Sequence, residues 1–280
     1  MSIFSRLRLI SRQIVPRLHS SARTMSTEIH NTNKACCSIP PVQSDYEPKG
    51  VYKSVGDFKK VYVSGPEGTD SAIVCIFDIF GYYPQTQQGA DILASTLKTT
   101  VYMPDYFEDS APYPLSKFPP STPEEQKEFQ AFFGGAANPP QHVAKSLAFG
   151  KVLKSVNNYK NLGLYGFCWG GKIAILSGST DDTPYNAVSI VHPAMLSPPD
   201  VEKIAVPLAV YISKDEPIKE YNEIVDILSK KPFADKNDHK NYDNQIHGFA
   251  AARGDLKDPE NLKQYEDVYG RLANFFKGAF

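Results

Sequence analysis

Leu162-Gly163-Leu164-Tyr165-Gly166-Phe167-Cys168-Trp169-Gly170-Gly171-Lys172-Ile173-Ala174-Ile175 passes from an apolar strand pattern, through a glycine-framed turn, into a helix pattern. The first four residues read as a short buried strand, and the stretch from Lys172 reads as the first turns of a packed helix. Gly-x-Cys-x-Gly between them puts a cysteine where a strand-to-helix elbow exposes a nucleophile. Such an elbow strains its central residue, so small residues at Gly166 and Gly170 are required where strand and helix nearly touch. The central side chain then sits at a helix N-terminus, whose partial positive charge favours a thiolate. The competing reading of Cys168 is a small buried hydrophobe, the usual fate of a free cysteine.

A nucleophile of this kind needs a base held by an acid, in the chain order nucleophile, acid, histidine. Val206 to Ser213 reads as a parallel strand, and Asp215 lies just past its carboxyl end, where catalytic groups of open α/β sheets collect. Asp215 is the acid candidate and Glu216 the alternative; a solvated loop carboxylate or a helix cap ahead of Pro217 competes with both. His247 follows the strand-like 241–246 and is the base candidate, against a loop histidine bonded to backbone. Of the six histidines, His19 and His30 lie near the N-terminus, His142 opens an expected helix and His239 sits in a charged turn. His192 follows the strand pattern 187–191 but precedes the acid, so it is expected to line the pocket.

Strands are expected near 61–63, 72–78, 101–104, 162–166, 187–191, 208–213 and 241–246, with helices near 86–98, 139–158, 170–179, 218–230 and 259–277. This alternation means an α/β fold with a mostly parallel sheet covered by helices on both faces. Between Asp105 and Pro140 the pattern breaks into a proline- and aromatic-rich stretch with Tyr106, Phe107, Tyr113, Phe118, Phe132 and Phe133, expected to form a wall over the site. A chain of 280 residues with 41% hydrophobic composition fits one such domain over 28–280. Its four cysteines, at 36, 37, 75 and 168, form no metal-ligand spacing, and no cofactor is called for.

Together with Ala35-Cys36-Cys37, Pro48-Lys49-Gly50, Phe77-Asp78-Ile79-Phe80-Gly81, Pro104-Asp105-Tyr106-Phe107, His192-Pro193 and His247-Gly248-Phe249-Ala250, the Gly166 to Gly171 block resembles the dienelactone hydrolases, and their fungal members in particular. The resemblance runs from about Cys36 to the C-terminus. It implies an α/β-hydrolase fold, hydrolysis of an ester or lactone through a cysteine thioester, and a triad falling on Cys168, Asp215 and His247. The oxyanion hole of this fold takes one amide after the nucleophile and one from the early loop, here Trp169 and Ile79. Asp78 occupies the place of a glutamate that takes part in activating the cysteine in bacterial members; a carboxylate bonding its own loop amides is the alternative. Bacterial members also hold the substrate carboxylate with two arginines. Arg253 matches the second and nothing between Arg23 and Arg253 matches the first; a surface pair of Arg253 with Asp255 or Glu260 is the alternative.

Arginine usage divides the chain. Arg6, Arg8, Arg12, Arg17 and Arg23 crowd the first 23 residues, leaving only Arg253 and Arg271 beyond. Residues 1–27 contain no acidic side chain, several serines and interleaved apolar residues, the pattern of a mitochondrial transit peptide addressed to the matrix. Met25 offers an internal start that would give a cytoplasmic form. Removing the five arginines takes the net charge from −1 to −6, which argues against nucleic-acid binding. The apolar residues are too interrupted for membrane insertion. A small-molecule ester or lactone is the expected partner, for a monomer or homodimer. The rival readings are a thiol redox sensor and a catalytically silent ligand-binding module on the same fold.

Overall fold

The computed structural model describes residues 45–280; the expected targeting segment, Met25 and the Cys36-Cys37 pair lie outside the described residues. One eight-stranded sheet organises the chain, in the order β1-β2-β4-β3-β5-β6-β7-β8. Its strands are β1 (Val51–Val55), β2 (Phe58–Ser64), β3 (Ser71–Ile76), β4 (Thr100–Pro104), β5 (Asn161–Phe167), β6 (Ala187–Val191), β7 (Leu208–Ser213) and β8 (Asp238–Tyr242). The β1-β2 and β2-β4 pairings are antiparallel, and all the others are parallel. The helices are α1 (Pro84–Leu97), α2 (Pro123–Gly134), α3 (Pro139–Ser155), α4 (Trp169–Gly178), α5 (Pro199–Glu202), α6 (Ile218–Ser229) and α7 (Pro259–Ala279).

Strands β3, β5, β6 and β7 are buried along nearly their whole length, as parallel strands covered on both sides must be. On one face, Tyr165 of β5 meets the Phe276 ring of α7 at 6.3 Å, and a Cβ added at Gly163 would fall 2.6 Å from that ring. On the other face, Val188, the register partner of Leu164, lies where a Cβ on Gly178 of α4 would reach it at 2.7 Å. Helices therefore flank both faces.

Three sequence expectations shift. The 61–63 strand is the latter part of β2, one arm of a hairpin whose other arm, the largely exposed β1, carries no burial signal and was invisible to pattern reading. The last strand is β8 at Asp238–Tyr242, not 241–246, and His239 belongs to it. Its polar sequence suits an edge strand paired on one side only. Within the irregular stretch, Thr122 accepts from the Glu125 amide and Glu125 reaches back to the Thr122 amide. This capping box starts helix α2 where proline density had argued for loop.

Candidate active site

Cys168 sits between the end of β5 and the start of α4, with φ 53° and ψ −117°. That backbone geometry is unfavourable for a non-glycine residue, and the surroundings enforce it. The Cys168 amide donates to Val191 at 3.2 Å and its carbonyl accepts from Ala194 at 2.9 Å. The two glycines do what the sequence demanded. A Cβ on Gly166 would lie 2.1 Å from the Gly170 carbonyl oxygen, and one on Gly170 would lie 2.3 Å from that of Ile76. Backbone of the elbow thus touches backbone at the end of β3, which brings the Ile79 loop alongside Trp169.

His247 follows the turn after β8 and is buried, 2% exposed. The acid against its ring is not the one first expected. Glu216, at 4% exposure, places Oε1 2.6 Å from Nδ1 of His247, and its Oε2 accepts from the Ser213 amide. Asp215 is half-buried and accepts instead from the backbone N–H of His247, at 2.8 Å. The reason is local: in the turn after β7, the longer and more deeply buried Glu216 reaches the ring, while the shorter Asp215 reaches only the backbone of the same histidine. With Nδ1–H donating to Glu216, the tautomer leaves Nε2 as the basic nitrogen.

Asp78 is buried just past β3. Its Oδ1 accepts from the Phe80 amide at 3.0 Å and its Oδ2 from the Ala252 amide at 3.2 Å, so one carboxylate joins its own loop to the loop after His247. Arg253 is on that second loop and only 2% exposed; a Cβ on Gly248 would meet its methylenes at 2.9 Å. Arg253 is therefore not a surface side chain. Asp255 accepts from the Lys257 amide at 3.0 Å, and Glu260 from Asn244 and Gln264 at 2.6 Å each.

His192 ends β6 with φ 36° and is fully buried. Its ring stacks on Phe167 at 5.5 Å and stands edge-on to His247 at 5.1 Å. Burial first, and then the neighbouring His247, holds its pKa well below the ordinary histidine value.

The aromatic stretch packs onto both expected oxyanion residues. Tyr113 donates its amide to the Ile79 carbonyl at 2.9 Å, and Phe118 meets Phe80 at 5.1 Å. At the other end, Trp169 donates Nε1–H to the Ala137 carbonyl at 2.7 Å. The Trp169 ring stacks on Phe107 at 4.9 Å and meets buried His142 edge-on at 4.8 Å. Reasoning from sequence gave His142 no such part; its spacing of three from Pro139, at the start of α3, held no visible signal. Cys75 is wholly buried within β3, where burial pushes its thiol pKa strongly up. Among the described residues, no group of three or more His, Cys, Asp or Glu is placed to hold a metal, and no helix is long and apolar enough to cross a membrane.

A mostly parallel sheet, with a strained elbow after β5, a carboxylate after β7 and a histidine after β8, is the architecture of the α/β hydrolases. Within that class the chain belongs to the dienelactone hydrolase family, whose family model matches residues 60–280. It is 33% identical over 220 residues to an uncharacterized AIM2 family protein of Schizosaccharomyces pombe, covering 77% of this chain and 86% of that one. To a human carboxymethylenebutenolidase homolog it is 26% identical over 222 residues, again 77% and 86% of the two chains. A dienelactone hydrolase structure from Anabaena variabilis shares the fold, with a TM-score of 0.59 at 14% identity, over 84% of this chain and 98% of that one. The chain is accordingly a hydrolase of this family, with a small-molecule substrate.

Proposed function

We propose that the chain hydrolyses an ester or lactone through a thioester on Cys168, with His247 as base and Glu216 as the acid that orients it. The observation that carries this reading is the buried 2.6 Å pair of His247 and Glu216 on loops converging with the strained Cys168 elbow. Each part has a physical task. The α4 N-terminus favours negative charge at sulfur, and Glu216 stabilises the imidazolium that forms when His247 takes a proton. Attack of sulfur on the carbonyl carbon moves charge onto oxygen, and the amides of Ile79 and Trp169 are the donors assigned to it. Asp215 contributes by fixing the backbone of His247 rather than its ring. Asp78 joins the two loops and is assigned, by analogy with bacterial members, to activating the cysteine.

Arg253 supplies a buried positive charge beside the histidine loop, which favours an acyl group bearing a carboxylate; His192 lies deeper, against His247. The matrix of the mitochondrion, with a cytoplasmic form from Met25, remains our proposal for where this occurs. The thiol-sensor reading is the weaker one, because Cys75 is sealed within β3 with a disfavoured thiolate.

The experiment is hydrolysis of p-nitrophenyl acetate, the cis and trans dienelactones and a neutral lactone by the full chain, beside Cys168→Ala and His247→Ala. Turnover lost in both variants supports the mechanism, and preference for the acidic lactones supports Arg253 as a carboxylate partner. Turnover that survives Cys168→Ala refutes it.

A further inference from the structure

Three unfavourable features meet at His192. Its φ of 36° lies in the region non-glycine residues avoid, its side chain is wholly buried, and its ring nitrogens have no hydrogen-bond partner beyond its own backbone. A buried polar group without a partner destabilises the fold, and a phenylalanine would fill the same place among the rings of Phe167, His247 and Phe249. A residue that carries all three penalties points to a ligand for its nitrogens. Cys168 and His247 are 3% and 2% exposed, and His192 is fully buried beside His247. A neutral imidazole in either tautomer offers one N–H and one lone pair, which is the complement of a water molecule.

We propose that His192 is a positioning residue for the water that resolves the thioester on Cys168, a role that rests on the cysteine-hydrolase reading above. In that step the water oxygen bonds to the acyl carbon while one of its protons passes to Nε2 of His247. The carbon–sulfur bond then breaks, the sulfur leaves as thiolate beside the imidazolium, and the acyl group departs as the acid. His192 takes no net proton; it holds the second proton or the second lone pair of the water, so that attack is directed at the acyl carbon.

The test is rapid-mixing hydrolysis of p-nitrophenyl acetate by the full chain and by His192→Phe, with thermal denaturation of both. The phenylalanine keeps the ring packing and removes both nitrogens. Expected are a Tm equal to or above wild type, a p-nitrophenolate burst at the wild-type rate, and steady-state turnover lowered roughly 10- to 100-fold. Acetylated Cys168 should accumulate in the variant by mass spectrometry, and hydroxylamine, which needs no positioned water, should discharge it. His192→Gln, which restores an N–H and an acceptor, should recover part of the loss and serves if the phenylalanine variant does not fold. Wild-type steady-state turnover in His192→Phe, or equal slowing of burst and steady state, overturns the assignment alone. Turnover that survives Cys168→Ala overturns the underlying hydrolase reading and this role with it.

Discussion

Glu216 and Asp215 are adjacent carboxylates on one loop, and exchanging each for its amide separates their tasks. Glu216→Gln keeps the size and an oxygen able to face Nδ1 of His247, but removes the charge from a pair whose side chains are 0% and 2% exposed. A hydrogen bond to a charged group contributes about 1.5–3 kcal/mol. At about 1.4 kcal/mol per decade of rate, kcat/KM should fall roughly 10- to 150-fold, and further where the amide turns its NH2 toward the ring and forces the other tautomer. Asp215→Asn is different, because an amide oxygen still accepts the His247 backbone N–H now held at 2.8 Å. The group is half-buried and screened, so the loss should stay under about tenfold. The assay is steady-state hydrolysis of the best ester or lactone by the two variants, with Tm measured to show that both fold. A larger loss in Asp215→Asn than in Glu216→Gln would refute the assignment of the acid.

Gly170→Ala should destabilise the fold by about 3 kcal/mol or more, because its Cβ would lie 2.3 Å from backbone oxygen. Thermal denaturation should show a fall of roughly 6–12 °C, whereas Gly134→Ala, with nothing within 4 Å, should leave Tm unchanged or slightly raised. Native-state alkylation followed by peptide mapping should modify Cys168 and spare Cys75 until denaturant is added, since Cys75 is sealed and its thiolate disfavoured; equal labelling would contradict the β3 placement. His142 and His192 both have pKa values lowered by burial, so the folded chain binds fewer protons than the unfolded one. Stability should therefore be lost as pH falls below the ordinary histidine value of 6.5 and continue to fall until the folded groups titrate. A urea series at pH 7.5 and 5.5 checks this, with His192→Phe expected to flatten the dependence.

How far the sequence could be read depended on whether a residue's role is set by neighbours in the chain or across it. The elbow was legible, because Gly166, Cys168 and Gly170 restrict one another over five positions. The buried parallel strands were legible as apolar runs, whereas the strand before His247 is the polar edge β8 and was placed three residues too late. The choice between Asp215 and Glu216 was not, since it turns on which side of a tight loop faces a histidine 31 residues away. Strand β1 escaped for a related reason: it is an exposed edge whose only requirement is pairing with β2. Helix α2 was hidden by prolines that prove to be compatible with a helix start, Pro123 standing in its first turn. That Arg253 is buried, and that the His192 ring is sealed against Phe167, His247 and Phe249, are facts of three-dimensional packing that no spacing encodes.

Positive φ at non-glycine residues occurs at Lys98, which caps α1, and at Asn158 after α3, but also at two residues of the site. Cys168 and His192 follow directly on β5 and β6, whose last paired residues, Phe167 and Val191, are register partners, and both take a positive φ. The two departures are coupled, because the Cys168 amide bonds to Val191, the Ala194 amide returns to the Cys168 carbonyl, and the His192 amide is anchored on Tyr211 of β7 at 2.7 Å. Relaxing one turn would pull on the other through those bonds. Natural folds keep local rule-breaking where function requires it and offset it elsewhere, and here the offset is the buried β3-β5-β6-β7 sheet beneath. One strained turn carries Cys168, and the adjacent one sets the His192 ring edge-on to His247. On the proposed reading, the strain at His192 and the strain at Cys168 serve one site, built from the ends of two neighbouring strands.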